Sequence, residues 1–398
     1  MKEGWEIKQL GEVCAIYNGG TPDTKIKQFW DGDNLWITPK DMGKLKSIYV
    51  DNTERRITNE GLKNSSAKML PVNSVILSSR APIGHLAINM KPISTNQGCK
   101  GIVPSKNIET SFLYYFLKNS VQLLNDLGSG TTFKEISGSK LAEVEIPLPP
   151  LKEQQRIVSI LDEAFSAIDQ AKENLQKNLQ NAKELFQSEL NSVFSKKGDG
   201  WEIKSLGEVC EFTQGIQRDV KLQSEIQKAN QVRFLRIVDF TQGNEPPRYI
   251  DNPSDRFILS SNDVSLVRYG ASTGFVCRGL AGALANNLFR VIPKSKKEIT
   301  LDFLYNYLTS SIFQNVIKGS MNGAAMPAIS FGLIKDIPFP LISILEQQQI
   351  VHQLDTLSAE TKKLATHYQQ KLNSLEELKK SILQKAFSGK LNEKQEAL

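Results

Sequence analysis

The residues best suited to chemistry in this sequence are basic and polar side chains beside glycine turns. Arg80 lies in Ser78-Ser79-Arg80-Ala81-Pro82-Ile83-Gly84, and Arg268 and Tyr269 lie in a similar turn that ends at Gly274. An arginine at such a turn can bridge guanine O6 and N7, because its guanidinium donates two parallel hydrogen bonds. A surface arginine that only accompanies a turn is an equally good interpretation. The pattern therefore indicates base recognition without requiring it.

A second group of polar residues follows each turn. The amides of Asn96 and Gln97, and of Asn286 and Asn287, could address adenine or a phosphate, although amides also stabilise turns. We expect the basic residues that follow them to meet phosphates: Lys100 and Arg290. The candidate DNA-binding set is completed by polar residues predicted at loops and strand ends: Thr38, Lys40, Thr132, Lys134, Arg236 and Asn322.

Catalytic motifs are weak. The segment 270–274 matches the G-x-S-x-G pattern of serine hydrolases, but the later histidines, His352 and His367, fall on a predicted long helix away from it. The glycine-rich segment 128–132 lacks the lysine of a phosphate-binding loop. The chain has 3 histidines and 4 cysteines, with no metal-ligand spacing among them. We therefore predict no catalytic residue, no metal site and no cofactor in this chain.

Composition restricts the class of protein further. The chain has 398 residues, of which 40% are hydrophobic and 23% charged, and its net charge of +6 permits an anionic partner without demanding one. The first residues lack the apolar core of a signal peptide, and no apolar run reaches the roughly 18 residues that span a bilayer. Isolated cysteines suit a reducing compartment. We expect a cytoplasmic protein without a membrane segment.

The sequence contains an internal repeat. Residues 4–14 return as residues 200–210 with only Gln9 changed, to Ser205, and the run 153–158 returns as 346–351. The interiors differ, since residues 18–35 and 212–233 share almost nothing. A duplication without present use is one interpretation. The better one is two similar modules that hold two related ligands at a fixed separation.

Each copy divides into a strand-rich part and a long helix. Short strands with turns and a helix at 111–127, whose counterpart lies at 301–318, predict an α+β module. Apolar residues in steps of three and four then predict helices at 151–195 and 344–388, each about 67 Å long. The predicted domains are therefore 1–150, 151–197, 198–343 and 344–398.

The two long helices are predicted to pair. The first carries the chain away from one module, so the second must return along it, which makes the pair antiparallel, with a locally unwound coil where the apolar steps depart from heptads. Prolines before each helix, such as Pro149 and Pro340, are predicted to mark a hinge. The predicted coiled-coil interface consists of twelve side chains: Leu161, Ile168, Leu175, Leu179, Phe186, Leu190, Leu354, Leu357, Leu364, Tyr368, Leu372 and Leu375.

These ordered motifs resemble one known family. The repeated opening Gly-Trp-Glu-Ile-Lys-x-Leu-Gly-Glu-Val-Cys, the two turns and the run 147–158 are similar to the specificity subunit of type I restriction–modification systems. The resemblance implies two target recognition domains joined by an antiparallel coiled coil, in a pseudo-two-fold repeat. Each domain would read one half of a bipartite double-stranded DNA site, and the coil would set the gap.

The resemblance also implies partners. Two methylation subunits would use S-adenosylmethionine to methylate adenine, and restriction subunits would use ATP and magnesium to cut DNA. This chain would then be a non-catalytic subunit, in agreement with its lack of catalytic motifs. The main alternative is a coiled-coil scaffold whose end modules bind proteins and not DNA.

Overall fold

The computed structural model describes residues 2–130, 134–196, 200–320 and 328–391. It forms two compact units: residues 1–175 with 370–398, and residues 176–369. Each unit therefore contains part of both long helices, so the units cut across the predicted domain boundaries. We call residues 2–150 head 1 and residues 200–343 head 2.

Head 1 consists mainly of short strands in three sheets. The five-stranded sheet has the order β2-β9-β6-β7-β4, the three-stranded sheet the order β5-β3-β8, and β1 pairs with β10. The described strands are β1 (Glu6–Gln9), β2 (Cys14–Asn18), β3 (Trp30–Ile37), β4 (Tyr49–Val50), β5 (Arg55–Ile57), β6 (Val75–Ser78), β7 (Leu86–Asn89), β8 (Ile93–Thr95), β9 (Cys99–Pro104) and β10 (Glu145–Leu148).

Side-chain alternation along the central strand β6 builds the core of head 1 on both faces of the sheet. Val75 and Leu77 belong to the cluster that contains Phe112, whereas Ile76 packs in another with Leu35 and Ile93 of the three-stranded sheet. The described helices of unit 1 outside the long pair are α1 (Leu10–Val13), α2 (Pro39–Met42), α3 (Asn59–Lys63), α4 (Thr110–Asn119), α5 (Val121–Leu127) and α6 (Gly138–Ala142), with a 3-10 turn at Lys27–Phe29.

The prediction of a single helix at 111–127 is wrong in one respect. The segment forms two helices, α4 and α5, which are separated at Ser120. The Ser120 hydroxyl donates to the carbonyl of Phe116 at 2.9 Å, a local bond that competes with helix continuation. Glu109 is the N-cap, since its carboxylate accepts from the Phe112 N–H. The counterpart in head 2 is divided in the same way.

Head 2 has the same central strand pairings but divides its strands into two four-stranded sheets instead of sheets of five and three. Its sheets have the orders β12-β19-β16-β17, β14-β13-β18-β15 and β11-β20. The described strands are β11 (Glu202–Ser205), β12 (Cys210–Gln214), β13 (Gln231–Leu235), β14 (Arg248–Asp251), β15 (Ile258–Leu259), β16 (Val264–Val267), β17 (Val276–Cys277), β18 (Gly282–Leu284), β19 (Leu288–Pro293) and β20 (Pro338–Leu341).

The described helices of head 2 are α8 (Leu206–Val209), α9 (Ile237–Thr241), α10 (Leu301–Thr309), α11 (Ser311–Ser320) and α12 (Phe331–Lys335), with 3-10 turns at Val220–Leu222 and Asp255–Phe257. The long helices are α7 (Leu151–Ser195) and α13 (Ile344–Phe387), so their prediction is confirmed. Among the described residues, no helix is long and apolar enough to cross a membrane.

The long helices pack antiparallel inside each unit. In unit 1, Lys379 pairs with Asp169 at 2.9 Å and Glu376 pairs with Lys172, so residue numbers rise on one helix as they fall on the other. In unit 2, Leu190 and Leu354 share one core cluster. Of the twelve predicted interface residues, four are buried and seven are partly buried.

The twelfth, Leu364, is a wrong prediction, because its side chain is 42% exposed. Thr361 and Ala365 lie on the packed face instead, and Thr361 is only 6% exposed. Its hydroxyl donates to the Leu357 carbonyl at 2.8 Å, which satisfies the polar group within the helix. A pattern of apolar residues alone therefore misses this position.

The prolines before each long helix lie in a paired strand or directly after it. Pro147 lies in β10 opposite Ile7, and Pro340 lies in β20 opposite Ile203. Proline is tolerated at such edge positions because its missing N–H faces away from the ladder. Each long helix therefore begins just after a paired strand.

One buried glutamine fastens each long helix to its head. Gln154 is fully buried, and its amide donates to the carbonyls of Asn107 and Pro149 at 3.0 and 2.8 Å, while its oxygen accepts from the Glu109 N–H at 2.8 Å. It joins the first turn of α7, the end of β10 and the start of α4.

The same set of three hydrogen bonds, which we call the glutamine bracket, recurs in unit 2. Gln347 donates to the carbonyls of Glu298 and Ile342 at 2.6 and 3.0 Å and accepts from the Thr300 N–H at 2.9 Å. Both glutamines stand first in the Gln-Gln pair of the repeated motif, and the second glutamine of each pair, Gln155 or Gln348, is exposed.

We predict that Gln154→Ala lowers the free energy of unfolding by about 2–4 kcal/mol, because it strands buried backbone groups in addition to leaving a cavity. Gln155→Ala, one position along the same helix, is the matched control and should change it by less than about 0.5 kcal/mol. Urea titration measures both. Equal effects of the two substitutions would contradict the bracket.

Candidate nucleic-acid interface

Three loops of head 1 meet around one open cleft. Thr38 and Lys40 come from the start of α2, Pro82 from the turn after β6, and Asn96 from the loop between β8 and β9. These residues line a cleft of about 640 Å³ with His85. The structure therefore brings together candidate residues that lie up to 58 positions apart in the chain, from Thr38 to Asn96.

The candidate residues of this cleft differ in whether their polar groups are free to bind a ligand. Thr38 caps α2: its hydroxyl accepts from the Asp41 N–H at 3.3 Å and donates to the Asp41 carboxylate at 2.8 Å. Asn96 accepts from the Gly98 N–H at 3.0 Å, which forms the turn before β9. Lys40 is exposed. Lys40 is thus the candidate here that is most free to meet a phosphate.

An ion triad occupies the next part of the surface. Arg80 Nε donates to one Glu135 oxygen at 2.8 Å, and Lys100 Nζ donates to the other at 3.3 Å. Burial would raise the pKa of Glu135, but hydrogen bonds from Arg80 and Lys100 outweigh it and hold that pKa below its usual range. Lys100 is 6% exposed, which favours a structural role. Arg80 keeps its outer donors for a ligand.

The remaining candidates of head 1 lie beside this triad. Lys134 is exposed and directly precedes Glu135. Gln97 is exposed and contacts the hydroxyl of Thr21, a residue that sequence reasoning missed. Thr132, and Asn322 in head 2, lie outside the described residues.

The turn after β16 in head 2 is offset by one residue from the turn after β6 in head 1. Arg80 forms an antiparallel bridge with Glu135, and the matching bridge of head 2 joins Tyr269 to Ala328. Tyr269, and not Arg268, therefore holds the position of Arg80. A shift of one residue along an extended segment reverses the side-chain direction. The arginines of the two similar turns, Arg80 and Arg268, thus lie at positions that do not correspond.

The candidates on the last central strand are offset in the same way. Lys100 pairs with Asn18 at the end of β2, and Phe289 pairs with Gln214 at the end of β12. Lys100 therefore matches Phe289, one residue before Arg290. The two basic residues point to opposite faces of equivalent strands.

Arg290 is accordingly held inside the head. Its guanidinium donates to Asp263 at 2.7 Å. Burial would raise the pKa of Asp263, but hydrogen bonds from the Ser260 N–H and from Arg290 outweigh it and keep that pKa below its usual range. A phosphate would have to compete with this carboxylate.

Arg236 is also held by acidic partners. It is the N-cap of α9, the position that Thr38 has at α2 in head 1. Its side chain pairs with Asp239 and Glu245, both at 3.1 Å, and donates to the Pro246 carbonyl at 2.9 Å. Arg268 differs, since it lies 5.2 Å from the centre of the Phe331 ring and forms no ion pair within the described part of the chain.

The amides of head 2 lie at the corresponding loop. Asn286 donates to Gln217 at 3.5 Å, and the Asn287 side-chain oxygen is buried with no partner among the described residues. The contact between Asn286 and Gln217 falls where Gln97 contacts Thr21 in head 1. The same loop position therefore carries a hydroxyl and an amide in head 1 but two amides in head 2.

The described residues contain neither a metal-ligand cluster nor a reactive thiol. No group of three or more His, Cys, Asp or Glu side chains could hold a metal ion there. All four cysteines are free and buried, and burial raises the pKa of Cys14, Cys210 and Cys277 to about 12. These thiols are therefore protonated at neutral pH and serve as core residues.

Comparison with known proteins adds the decisive observation. A model of the type I restriction modification DNA specificity domain matches residues 2–181 and again residues 198–376. The chain belongs to this family. The resemblance read from the motifs is confirmed, with one match to each copy of the repeat.

Relatives of this family are similar over different lengths. The type I restriction enzyme MjaIX specificity subunit of Methanocaldococcus jannaschii is 34% identical over 261 residues, which cover 60% of this chain and 59% of that subunit. The HsdS subunit from Thermoanaerobacter tengcongensis is 21% identical, with a TM-score of 0.65 over 98% of both chains.

A chain from work on the complex assembly and conformational transition of the type I R-M system is 20% identical, with a TM-score of 0.78 over 98% of this chain and 99% of its own. At such identities the two structural likenesses concern the fold. They confirm the predicted fold class: α+β, with an internal repeat and paired long helices.

Both specificity domains contain a close backbone approach that the sequence could have signalled. A Cβ at Gly19 would lie 1.8 Å from the Asn96 carbonyl oxygen, and one at Gly215 would lie 2.2 Å from that of Ala285. Only glycine allows these contacts, which bring Thr21 and Gln217 against their amide partners. The paired glycines after β2 and β12 were the available signal.

We predict that Glu135→Gln destabilises the chain by about 1–3 kcal/mol at neutral pH, because it leaves the Lys100 ammonium buried without a charged partner. Because the pKa of Glu135 is lowered in the folded state, its contribution is present at neutral pH and is lost as pH falls below the usual carboxyl range.

Urea titration at pH 7 and pH 3.5 measures this effect. The matched control is Glu54→Gln, which breaks the exposed pair with Lys44 and should change stability much less. A loss for Glu135→Gln that persists unchanged at the lower pH would contradict the ion triad.

Proposed function

We propose that this chain is the DNA-reading specificity subunit of a type I restriction–modification enzyme. One observation carries the proposal: two heads with the same scaffold hold different polar side chains at the same loop. Thr21 and Gln97 occupy this place in head 1, and Gln217 and Asn286 occupy it in head 2. Such a pair of scaffolds suits two half-sites that share geometry but differ in sequence.

Each head would read its half-site through loop side chains. Amide and hydroxyl groups can discriminate base edges in the major groove, and the free donors of Arg80 and Arg268 suit guanine. Exposed lysines such as Lys40 and Lys134 would neutralise phosphates and position the head on the duplex.

The helix pair would fix the gap between the half-sites. Half-sites one helical turn apart are separated by roughly 34–36 Å. A 45-residue helix such as α7 is about 67 Å long, which is enough to connect readers of two such sites. The length of the paired helices, and not the sequence within the gap, would then select the spacer.

Chemistry would belong to partners. We propose that the chain binds no cofactor and is not itself an enzyme. Two methylation subunits would supply S-adenosylmethionine for adenine methylation, and restriction subunits would supply ATP and magnesium for cleavage. The assembly would act on double-stranded DNA in the cytoplasm.

A selection experiment tests the proposal. The chain is combined with its methylation subunit, and bound duplexes are recovered from a random library. We expect enrichment of two separated blocks of defined bases. Stable binding of the methylation subunit without any enriched sequence would contradict DNA reading and support the protein-binding scaffold instead.

The same selection tests the reading pair. The double variant Thr21→Gln with Gln97→Asn gives head 1 the side chains of head 2. We predict a changed base preference at one or two positions of one block, by roughly tenfold, because one base contact contributes about 1–3 kcal/mol of discrimination.

The unchanged block is the internal control, and the reciprocal variant Gln217→Thr with Asn286→Gln should alter that other block. Uniform weakening of both blocks would show instead that these side chains contact the phosphate backbone.

A further inference from the structure

The two units can be compared residue by residue around their long helices. Gln154 and Gln347 make the same bracket, and the ring of Phe387 packs 5.1 Å from Phe112 as that of Phe194 packs 5.3 Å from Phe303. These contacts fix which positions correspond. Differences at corresponding positions can therefore be interpreted as differences in function.

In unit 1, an aromatic pair fills the space between α4 and the long helices. The rings of Tyr115 and Phe165 meet edge to face at 5.5 Å, and the Tyr115 hydroxyl donates to Asp162. The ammonium of Lys379 lies 4.7 Å from the centre of the Phe165 ring. This space is closed by the chain's own side chains.

In unit 2, the corresponding space is open. Asn306 replaces Tyr115 and Ser358 replaces Phe165, whereas Asp355 keeps the carboxylate of Asp162. The result is a cleft of about 500 Å³ lined by α10 and parts of both long helices, with Phe186 and Leu190 among its apolar walls. Compared with unit 1, this place lacks the ring and hydroxyl of Tyr115 and the ring of Phe165, whereas Phe186, at the position of Lys379, adds one ring to the wall.

The polar groups of the cleft are ready for a ligand. Asn306 is 7% exposed and lines the cleft, yet its side-chain amide has no partner among the residues that the structure describes. Because the cleft is open, its amide atoms stay accessible and can form hydrogen bonds with the backbone of a ligand. Asp355 likewise forms no ion pair or side-chain hydrogen bond within the described part of the chain.

The rim of the cleft carries more basic residues than the corresponding surface of unit 1. Lys183 and Lys362 stand where unit 1 has Glu376 and Asp169, and neither lysine forms an ion pair among the described residues. The other cation on the rim, Arg278, is paired with an aspartate. Acidic residues beside an inserted ring would therefore meet two available ammonium groups.

We propose that this cleft receives a tyrosine or tryptophan side chain from an acidic segment of a partner protein. The ring packs against Phe186 and Ala365, its O–H or N–H donates to Asp355, and the Asn306 amide contacts the partner backbone. The occupant thus supplies from outside the group that Tyr115 supplies in unit 1.

The shape of the cleft favours a polypeptide over a free aromatic compound. The cleft is open to solvent on one side, and small ligands bind well only where most of their surface is buried. A ring carried on a chain covers the opening with its own backbone and brings acidic neighbours to the lysines. The proposal does not depend on DNA reading, because it concerns binding to the isolated full chain.

Calorimetric titration of the full chain with short peptides tests the proposal. Acetyl-Glu-Tyr-Glu-amide is expected to bind at one site, acetyl-Glu-Phe-Glu-amide roughly tenfold more weakly for lack of the hydrogen bond to Asp355, and acetyl-Glu-Ala-Glu-amide not measurably. Added salt should weaken the tyrosine peptide through the lysines.

Two variants locate the site. Asn306→Tyr with Ser358→Phe rebuilds the filling of unit 1 and should abolish binding. Asp355→Leu leaves the cleft open but removes the hydrogen-bond acceptor, so it should remove the preference for tyrosine over phenylalanine; this keeps the test valid even if the filled variant folds poorly.

Three results would overturn the proposal: equal binding of the tyrosine and alanine peptides, an unchanged tyrosine preference in Asp355→Leu, or binding that survives in the folded Asn306→Tyr, Ser358→Phe variant. Free 4-methylphenol that binds as tightly as the tyrosine peptide would also contradict a polypeptide occupant, since the flanking residues would then contribute nothing.

Discussion

The buried glutamine at the start of each long helix is the constraint on which each unit depends. Gln154 and Gln347 each join three segments: the long helix, the strand before it and the loop that starts the next helix of the head. An amide offers both donors and an acceptor, so one side chain satisfies three backbone groups that water cannot reach. The helix direction is thereby fixed relative to the head, and any reading surface on the head inherits that orientation.

Repetition of this frame makes the differences between the heads informative. Core positions and brackets recur, whereas the exposed loop pairs differ: a hydroxyl with an amide in head 1, and two amides in head 2. The long helices differ in a second way, since unit 1 is closed by Tyr115 and Phe165 and unit 2 is open at the same place. One scaffold thus supports two kinds of variation, one at the loops and one beside the helices.

Much of this organisation could be predicted from the sequence, because the repeat, the long apolar stripes and the return of the chain are properties of pattern and connectivity. The finer features could not. Leu364 fits the apolar pattern but is exposed. Thr361 lies on the packed face instead, which it can do because its hydroxyl donates to a carbonyl of the same helix. Glu135 and Thr21 are invisible as partners of Arg80 and Gln97 because tertiary packing alone brings them together. The one-residue offset between Arg80 and Arg268 depends on strand register, which an alignment of short motifs does not record.

Under the proposed function, the two specificity domains of this chain read two different half-sites at a fixed gap. Sequencing of methylated adenines in a host that expresses this chain with its methylation subunit tests that claim most directly. We expect methylation at a bipartite site, with two unlike blocks of defined bases and a constant number of undefined base pairs between them. Methylation that is unchanged when the chain is omitted, or that follows a single continuous site, would contradict it.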